Sequence, residues 1–135
     1  MQTITCNVAV IGGGPAGLAA AAAARKAGAE KVLILERDNA LGGILQQCIH
    51  PGFGLTRFGQ ELTGPEYYSR FTCEVEELGV EVLLDTMVLE VNHEDKVVTC
   101  VNSKLGLTQV KAGAIVLAMA RDRVRPVERT PERLM

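Results

Sequence analysis

The chain has 135 residues, 47% of them hydrophobic, and a net charge of −2, which suffices for one soluble globular domain with its own core. The near-neutral charge and the 4% aromatic content disfavour a nucleic-acid partner, because such surfaces are basic and carry stacking aromatics. The apolar stretch 8–24 is too short and too broken by glycines to span a membrane, and no Lys or Arg precedes Arg25 as a secretion signal requires, so we expect a cytoplasmic protein.

The first predicted elements are a strand, a glycine-rich turn and a helix. An apolar run ends at Ile11, and Gly28 is placed to end the helix that follows. Between them, three glycines have the spacing of a dinucleotide-binding fingerprint: the first allows a tight turn, the second lets a pyrophosphate approach, and the third lets the helix pack closely. The start of that helix offers N–H groups to phosphates. The predicted phosphate turn consists of Gly12, Gly13, Gly14, Pro15, Ala16 and Gly17.

The second predicted strand, residues 31–36, ends in an acid. Glu36 follows Gly17 by 19 residues, close to the distance at which such domains carry a carboxylate for the ribose hydroxyls. Its charge also disfavours the 2′-phosphate of NADP. Strand, turn, helix, strand and acid therefore predict an adenine-dinucleotide site, and on these residues alone NAD fits as well as FAD.

The middle of the chain contains a long glycine-rich segment and then a helix. Residues 38–62 are irregular in pattern, and so long a loop in a compact domain is usually functional. Thr63 and Glu66 form a capping box at the start of the helix, and Gly79 ends it. Apolar residues at helical spacing predict one buried face, made of Tyr67, Phe71, Val75 and Leu78.

The remaining elements are predicted to be strands. An apolar run at 80–84 continues the parallel sheet, and alternating segments separated by turn residues indicate an antiparallel meander. The meander strands are expected at 87–92, 96–102 and 107–111, and a separate strand at 114–118 returns to the parallel sheet. The predicted fold class is α/β: a Rossmann-like FAD/NAD(P)-binding domain with a parallel sheet, helices and a three-stranded antiparallel meander.

Two further expectations concern the tail and the cysteines. We assign residues 1–120 to the domain, and 121–135 to an Arg-rich tail with too little apolar content to order itself. No cysteine pair has a redox or metal-ligand spacing, so no metal site is expected. Cys6, Cys73 and Cys100 are expected to be buried free thiols.

Several motifs together resemble a known family. They are V-A-V-I-G-G-G-P-A-G (8–17), L-I-L-E-R (33–37), G-G (42–43), D-T-M-V-L-E-V (85–91) and A-I-V-L-A-M-A (114–120). The chain resembles the FAD-binding half of the pyridine nucleotide-disulfide oxidoreductase-like flavoproteins, which have two dinucleotide-binding domains. The segments 42–54 and 61–67 are similar to NAD(P)/FAD-dependent oxidoreductases associated with glycerol-3-phosphate and amine or hydroxy-acid dehydrogenase systems.

The resemblance implies FAD as the cofactor. It assigns the pyrophosphate to the glycine turn and the adenosine ribose to Glu36. Arg37 would lie beside the adenine or the phosphates, and the alternative for it is a solvated surface arginine. The resemblance also places Gly42 and Gly43 on the pyrophosphate side, the backbone of Val88 at the adenine edge, where ordinary strand packing is the alternative, and Ala118 beside the cofactor.

The resemblance directs residues 44–58 toward the flavin ring. Cys48 and His50 are the catalytic candidates, with a packed thiol and a surface imidazole as the structural alternatives. Cys48 lacks the second cysteine of a redox disulfide. The expected reaction is hydride or electron transfer between flavin and either NAD(P)H or a small organic substrate.

Relative to that family, the sequence lacks a second dinucleotide-binding unit after residue 120. We expect a truncated or frameshifted form of a longer flavoenzyme. The alternatives are a subunit whose flavin site another chain completes, and a self-contained small flavoprotein. A different function class, a non-catalytic NAD- or FAD-binding module or assembly subunit, also fits the motifs.

Overall fold

The structure is a computed structural model and describes residues 1–42 and 64–119. Within these ranges the chain forms one six-stranded sheet in the order β3-β2-β1-β6-β5-β4. The strands are β1 (Gln2–Ile11), β2 (Val32–Leu35), β3 (Glu81–Leu83), β4 (Thr86–Asn92), β5 (Val97–Asn102) and β6 (Gly106–Leu117), and the helices are α1 (Pro15–Lys26) and α2 (Gly64–Glu77).

The sheet is parallel on one side and antiparallel on the other. Strands β3, β2, β1 and β6 run parallel, whereas β5 pairs antiparallel with both β6 and β4. The predicted fold class is therefore confirmed: a parallel Rossmann-like sheet with helices continues into a three-stranded meander.

The prediction of two separate final strands is wrong. Residues 107–111 and 114–118 belong to the single strand β6, which pairs with β5 up to Lys111 and with β1 as far as Leu117. Gly113 does not end a strand here. A Cβ atom on it would lie 2.8 Å from the carbonyl oxygen of Asn7, so glycine allows β6 to approach β1 closely.

Two apolar clusters cover the two faces of the parallel strands. Successive side chains of a strand point to opposite faces, so Val10 packs with helix residues Leu18 and Phe71. Ala9 and Ile11 pack instead with Val98, Cys100 and Val110 of the meander. Helices, parallel strands and meander thus form three layers, which explains why β2 and the last four residues of β1 (8–11) are apolar without interruption.

The predicted face of α2 is largely observed. Phe71 and Val75 are buried, and Leu78 packs against the same cluster. Tyr68, which the sequence analysis did not include in this face, also packs there. The side chain of Tyr67 and the whole of Thr63 lie outside the described residues.

The expectation for the cysteines is wrong at Cys73, which is exposed. It lies two positions from both Phe71 and Val75, and this offset places it off the buried face of α2. Cys100 is buried and Cys6 is half-buried. Neither helix in the described ranges combines the length and hydropathy that crossing a bilayer requires.

Candidate functional site

The glycine turn lies where the strand order reverses, between β1 and β6. Gly12 has a φ of +110°, and a Cβ on it would lie 2.5 Å from the carbonyl oxygen of Ala118. Ala118 in turn donates its N–H to the carbonyl of Ile11 at 2.8 Å. Glycine is therefore required at position 12 by both conformation and close approach. In open α/β sheets, this reversal at the carboxyl ends of the strands is where ligands bind.

The third glycine of the fingerprint packs the helix onto the turn. Gly17 is buried in the first turn of α1, and a Cβ on it would overlap the carbonyl oxygen of Gly12. The helix is opened by the bond from Leu18 N–H to the carbonyl of Gly14 at 2.9 Å. Gly17 is therefore a packing requirement of the protein itself.

Gly14 differs from both, because nothing in residues 1–42 and 64–119 requires glycine there. Its φ is −80° and its ψ −169°, an extended conformation open to any residue, and a Cβ on it would meet no atom of these residues within 4 Å. Gly14 is also the N-cap of α1 and supplies no side-chain bond, and the first turn holds no acidic residue. The first N–H groups of a helix have no partner within the helix, and this start of α1 is suited to an anion such as a pyrophosphate.

Glu36 is fixed beside this turn. The residue is only 4% exposed, and its Oε1 accepts the backbone N–H of Gly13 at 2.8 Å while Oε2 accepts that of Asp38 at 2.6 Å. An ionised carboxylate only accepts hydrogen bonds, so hydroxyl donors are a chemically suitable partner for it. The structure places this acid directly after β2 and beside the turn. The sequence analysis did not predict that its carboxylate also links β2 to the turn.

A second hydrogen bond joins the glycine turn to the segment that follows β2. Gly42 donates its N–H to the carbonyl of Gly13 at 2.7 Å, and a Cβ on Gly13 would lie 2.5 Å from Leu41 Cδ2. Gly42 has a φ of +101° and lies against the ring of Tyr68, where a Cβ would overlap the ring. Gly42 therefore has a packing role beside the predicted site, and Leu41 and Tyr68 are supporting residues that the sequence analysis missed.

The remaining predicted site residues are placed as follows. Pro15 and Ala16 form the first turn of α1 beside Gly14. Arg37 is exposed, and Val88 packs on the apolar cluster under the meander. Gly43, Cys48 and His50 lie outside the described residues. In residues 1–42 and 64–119, no three His, Cys, Asp or Glu side chains are grouped so that they would hold a metal ion.

The chain was compared with protein families and with known proteins. The family model described as pyridine nucleotide-disulphide oxidoreductase matches residues 6–130. The comparison with curated proteins gave no match.

Solved structures share the fold. L-proline dehydrogenase from P. horikoshii is 24% identical with a TM-score of 0.74, over 88% of this chain and 23% of that one. Bacillithiol disulfide reductase from Bacillus cereus is 21% identical with a TM-score of 0.70, over 86% and 40%. The atypical thioredoxin reductase TRi from Desulfovibrio vulgaris Hildenborough is 27% identical with a TM-score of 0.65, over 90% and 38%. The chain thus spans less than half the length of each of these three proteins.

Proposed function

Because the chain belongs to the pyridine nucleotide-disulphide oxidoreductase family, we propose that its glycine turn and Glu36 hold the adenosine diphosphate part of FAD. In this proposal the N–H groups at the start of α1 bind the pyrophosphate. The carboxylate of Glu36 would accept hydrogen bonds from the ribose hydroxyls. The chain would supply the FAD-binding part of an FAD-dependent oxidoreductase.

One observation carries this proposal: the contrast among the three glycines of the turn. Gly12 and Gly17 are each required by contacts inside the protein, whereas a side chain at Gly14 would meet nothing within 4 Å in the part of the chain that the structure describes. A glycine for which those residues give no reason is explained if a ligand needs the space. The uncapped start of α1 supplies the matching chemistry for a phosphate.

The residues of this chain would bind and orient the cofactor. Glu36 has little freedom to move because two backbone N–H groups already hold its carboxylate, so a ribose would meet a fixed acceptor. When bound, flavin supplies the redox chemistry and exchanges a hydride with NAD(P)H or a small organic substrate. We propose Cys48 and His50 as the residues nearest that chemistry, as the family resemblance implies.

Titration of the purified chain with FAD, ADP, NAD⁺ and NADP⁺ tests the proposal. We expect FAD to bind and develop the flavin absorbance near ~450 nm that belongs to the cofactor, and ADP to compete with it. NADP⁺ should bind more weakly than NAD⁺, because the carboxylate of Glu36 repels a 2′-phosphate. Binding of NAD⁺ without FAD would favour a non-catalytic nucleotide-binding module instead. Binding of neither dinucleotide, nor of ADP, would reject the proposed site.

A further inference from the structure

Residues 83–86 form a corner between β3 and β4. This β3–β4 corner is hydrogen-bonded to the segment that contains Glu36. Glu36 donates its backbone N–H to the carbonyl of Leu83, and its own carbonyl accepts the N–H of Thr86, both at 2.9 Å. Asp85 adds a third bond by donating its N–H to the carbonyl of Asp38 at 2.9 Å. The main chain on both sides of the Glu36 side chain is thus held by this β3–β4 corner.

Asn102, at the end of β5, holds the corner from the opposite side. Its Nδ2 donates to Thr86 Oγ1 at 2.8 Å and to the carbonyl of Leu84 at 3.1 Å. Its Oδ1 accepts the backbone N–H groups of Lys104 and Leu105, both at 2.9 Å. Asn102 is 7% exposed, and these bonds satisfy both amide protons and both lone pairs of the oxygen.

The corner contains a residue in the left-handed backbone region, and hydrogen bonds hold it there. Asp85 has a φ of +50°, which is uncommon for L residues, although Asp adopts it more readily than most. The N–H of Asp85 donates to Asp38, as described above, and the carbonyl of Asp85 accepts the N–H of Ser103 at 3.2 Å. The residues next to it, Leu84 and Thr86, are the two that Asn102 binds. A fully satisfied buried amide fixes the geometry of its neighbours more than it adds net stability.

We propose that Asn102 is a positioning residue for the cofactor: it acts through the β3–β4 corner to hold Glu36 where the adenosine ribose binds. The inference rests on the proposed function and adds to it the residue that sets the geometry of the ribose end. The path runs from Asn102 through Thr86 to the backbone of Glu36, and from its carboxylate to Gly13 in the phosphate turn. A substitution of Asn102 would therefore weaken binding mainly at the ribose end of the site, and only slightly at the phosphate end.

The test uses two variants that interrupt the path, one conservative variant that retains it, and one matched control. Asn102→Asp keeps acceptors for Lys104 and Leu105 but removes the donor to the corner. Thr86→Val removes only the hydroxyl, and Thr86→Ser retains it. Thr108 is the control, because it resembles Thr86 in two respects. Both residues are buried, and the hydroxyl of each donates to the carbonyl two residues earlier, which for Thr108 is that of Gly106.

We expect Asn102→Asp and Thr86→Val to lower the affinity for FAD and for ADP by roughly five- to tenfold, the effect of about one hydrogen bond. Thr86→Ser should restore wild-type affinity. Thr108→Val should bind both ligands as the wild type does, even where its melting temperature falls as far as that of Thr86→Val. The shift of the Gly14 amide NMR signal on adding inorganic pyrophosphate should be nearly the same in all variants, because the corner reaches that end of the site only indirectly, through the bond from Gly13 to Glu36.

The outcomes separate this inference from the function on which it rests. If wild-type protein binds FAD and ADP, and both path variants bind them within about twofold of it, Asn102 is only structural and the inference is overturned. The same holds if Thr108→Val loses as much affinity as Thr86→Val. If the wild type binds neither FAD nor ADP, the proposed function fails, and the inference fails with it. Should Asn102→Asp not fold, the comparison of Thr86→Val with Thr86→Ser decides.

Discussion

The backbone N–H of Gly13 donates a buried hydrogen bond of 2.8 Å to Glu36 Oε1, although 23 residues separate the two in sequence. This bond joins the turn after β1 to the end of β2. It also means that the carboxylate proposed to bind the ribose stabilises the folded protein before any ligand is present. Substitution of Glu36 should therefore affect stability and binding together.

For Glu36→Gln we expect a loss of roughly 1–3 kcal/mol in the free energy of unfolding, because an amide has one oxygen where the carboxylate has two and its nitrogen would face a backbone N–H. Affinity for ADP should fall as well. Urea denaturation and calorimetric titration measure the two effects. Glu81→Gln is the control, since Glu81 forms an exposed 3.7 Å ion pair with Lys31, which contributes little. Equal losses in both variants would show that the buried bonds of Glu36 contribute nothing special.

The glycines of the turn allow binding to be separated from folding. Gly14→Ala should leave the free energy of unfolding within about 0.5 kcal/mol of wild type, because no described atom lies within 4 Å of the added methyl and the backbone conformation is compatible with alanine. It should weaken FAD and ADP binding by at least about tenfold if a pyrophosphate approaches there. Unchanged affinity in Gly14→Ala would contradict pyrophosphate contact at this turn.

Gly17→Ala should show the opposite behaviour. Its Cβ would overlap the carbonyl oxygen of Gly12, and overpacking of this kind costs at least about 1–3 kcal/mol. Thermal unfolding of the ligand-free proteins compares the two variants. A Gly17→Ala protein as stable as Gly14→Ala would mean that α1 shifts away from the turn without penalty.

These glycines also show how much was predictable. Their spacing, the apolar strands on both sides and the acid after β2 are local features, and each follows from residues close together in sequence. The parallel half of the fold and the position of the turn could therefore be predicted. The spacing did not distinguish Gly14 from Gly12 and Gly17, because the distinction depends on what the rest of the chain brings near each Cα.

What could not be predicted depends on pairing between distant segments. Gly113 is typical of a break between strands, yet β6 continues through it because β1 lies alongside. In the sequence, Asn102 precedes turn residues and is typical of a turn. Only the fold brings its amide next to Thr86. The same applies to Tyr68, whose packing against Gly42 depends on how α2 lies on the sheet.

Two adjacent basic residues near the end of α1 should differ in their contribution to stability. Arg25 donates Nε to the carbonyl of Leu78 at 2.7 Å and Nη1 to that of Ala29 at 3.0 Å, so it fastens the residue after α2 to the end of α1. Lys26 forms an exposed ion pair with Glu74 at 2.8 Å.

We expect Arg25→Met to lower the free energy of unfolding by about 1.5–3 kcal/mol, the usual value for hydrogen bonds to a charged group. Lys26→Met should cost less than about 1 kcal/mol. Chemical denaturation of both variants in low and high salt gives the comparison, and salt should reduce only the Lys26 effect. If Lys26→Met proved the more costly, the bonds of Arg25 would not be the main link between the helices.

The cysteines should differ in reactivity as their burial differs. Cys73 is exposed on α2, whereas burial is the main cause that raises the pKa of the Cys6 and Cys100 thiols above their ordinary value of 9.0. At Cys6, Lys31 lowers the pKa and Glu81 raises it, both to a smaller extent than burial. A raised pKa leaves less thiolate at any given pH, and the thiolate is the reactive form.

We therefore expect iodoacetamide to label Cys73 of the folded protein well before Cys6 and Cys100, with site-by-site readout by peptide mass spectrometry. Because burial raises the pKa of the Cys6 and Cys100 thiols, their labelling should keep rising with pH beyond the point at which an ordinary thiol is fully ionised. The same shifts make these two thiols bind protons more tightly in the folded than in the unfolded chain. Their contribution to stability is therefore complete below pH 9.0 and falls as the pH rises further. A Cys6→Ser, Cys100→Ala variant should lose less stability than wild type between pH 8 and pH 10. Equal labelling rates at all three sites would show that burial does not protect the two strand thiols.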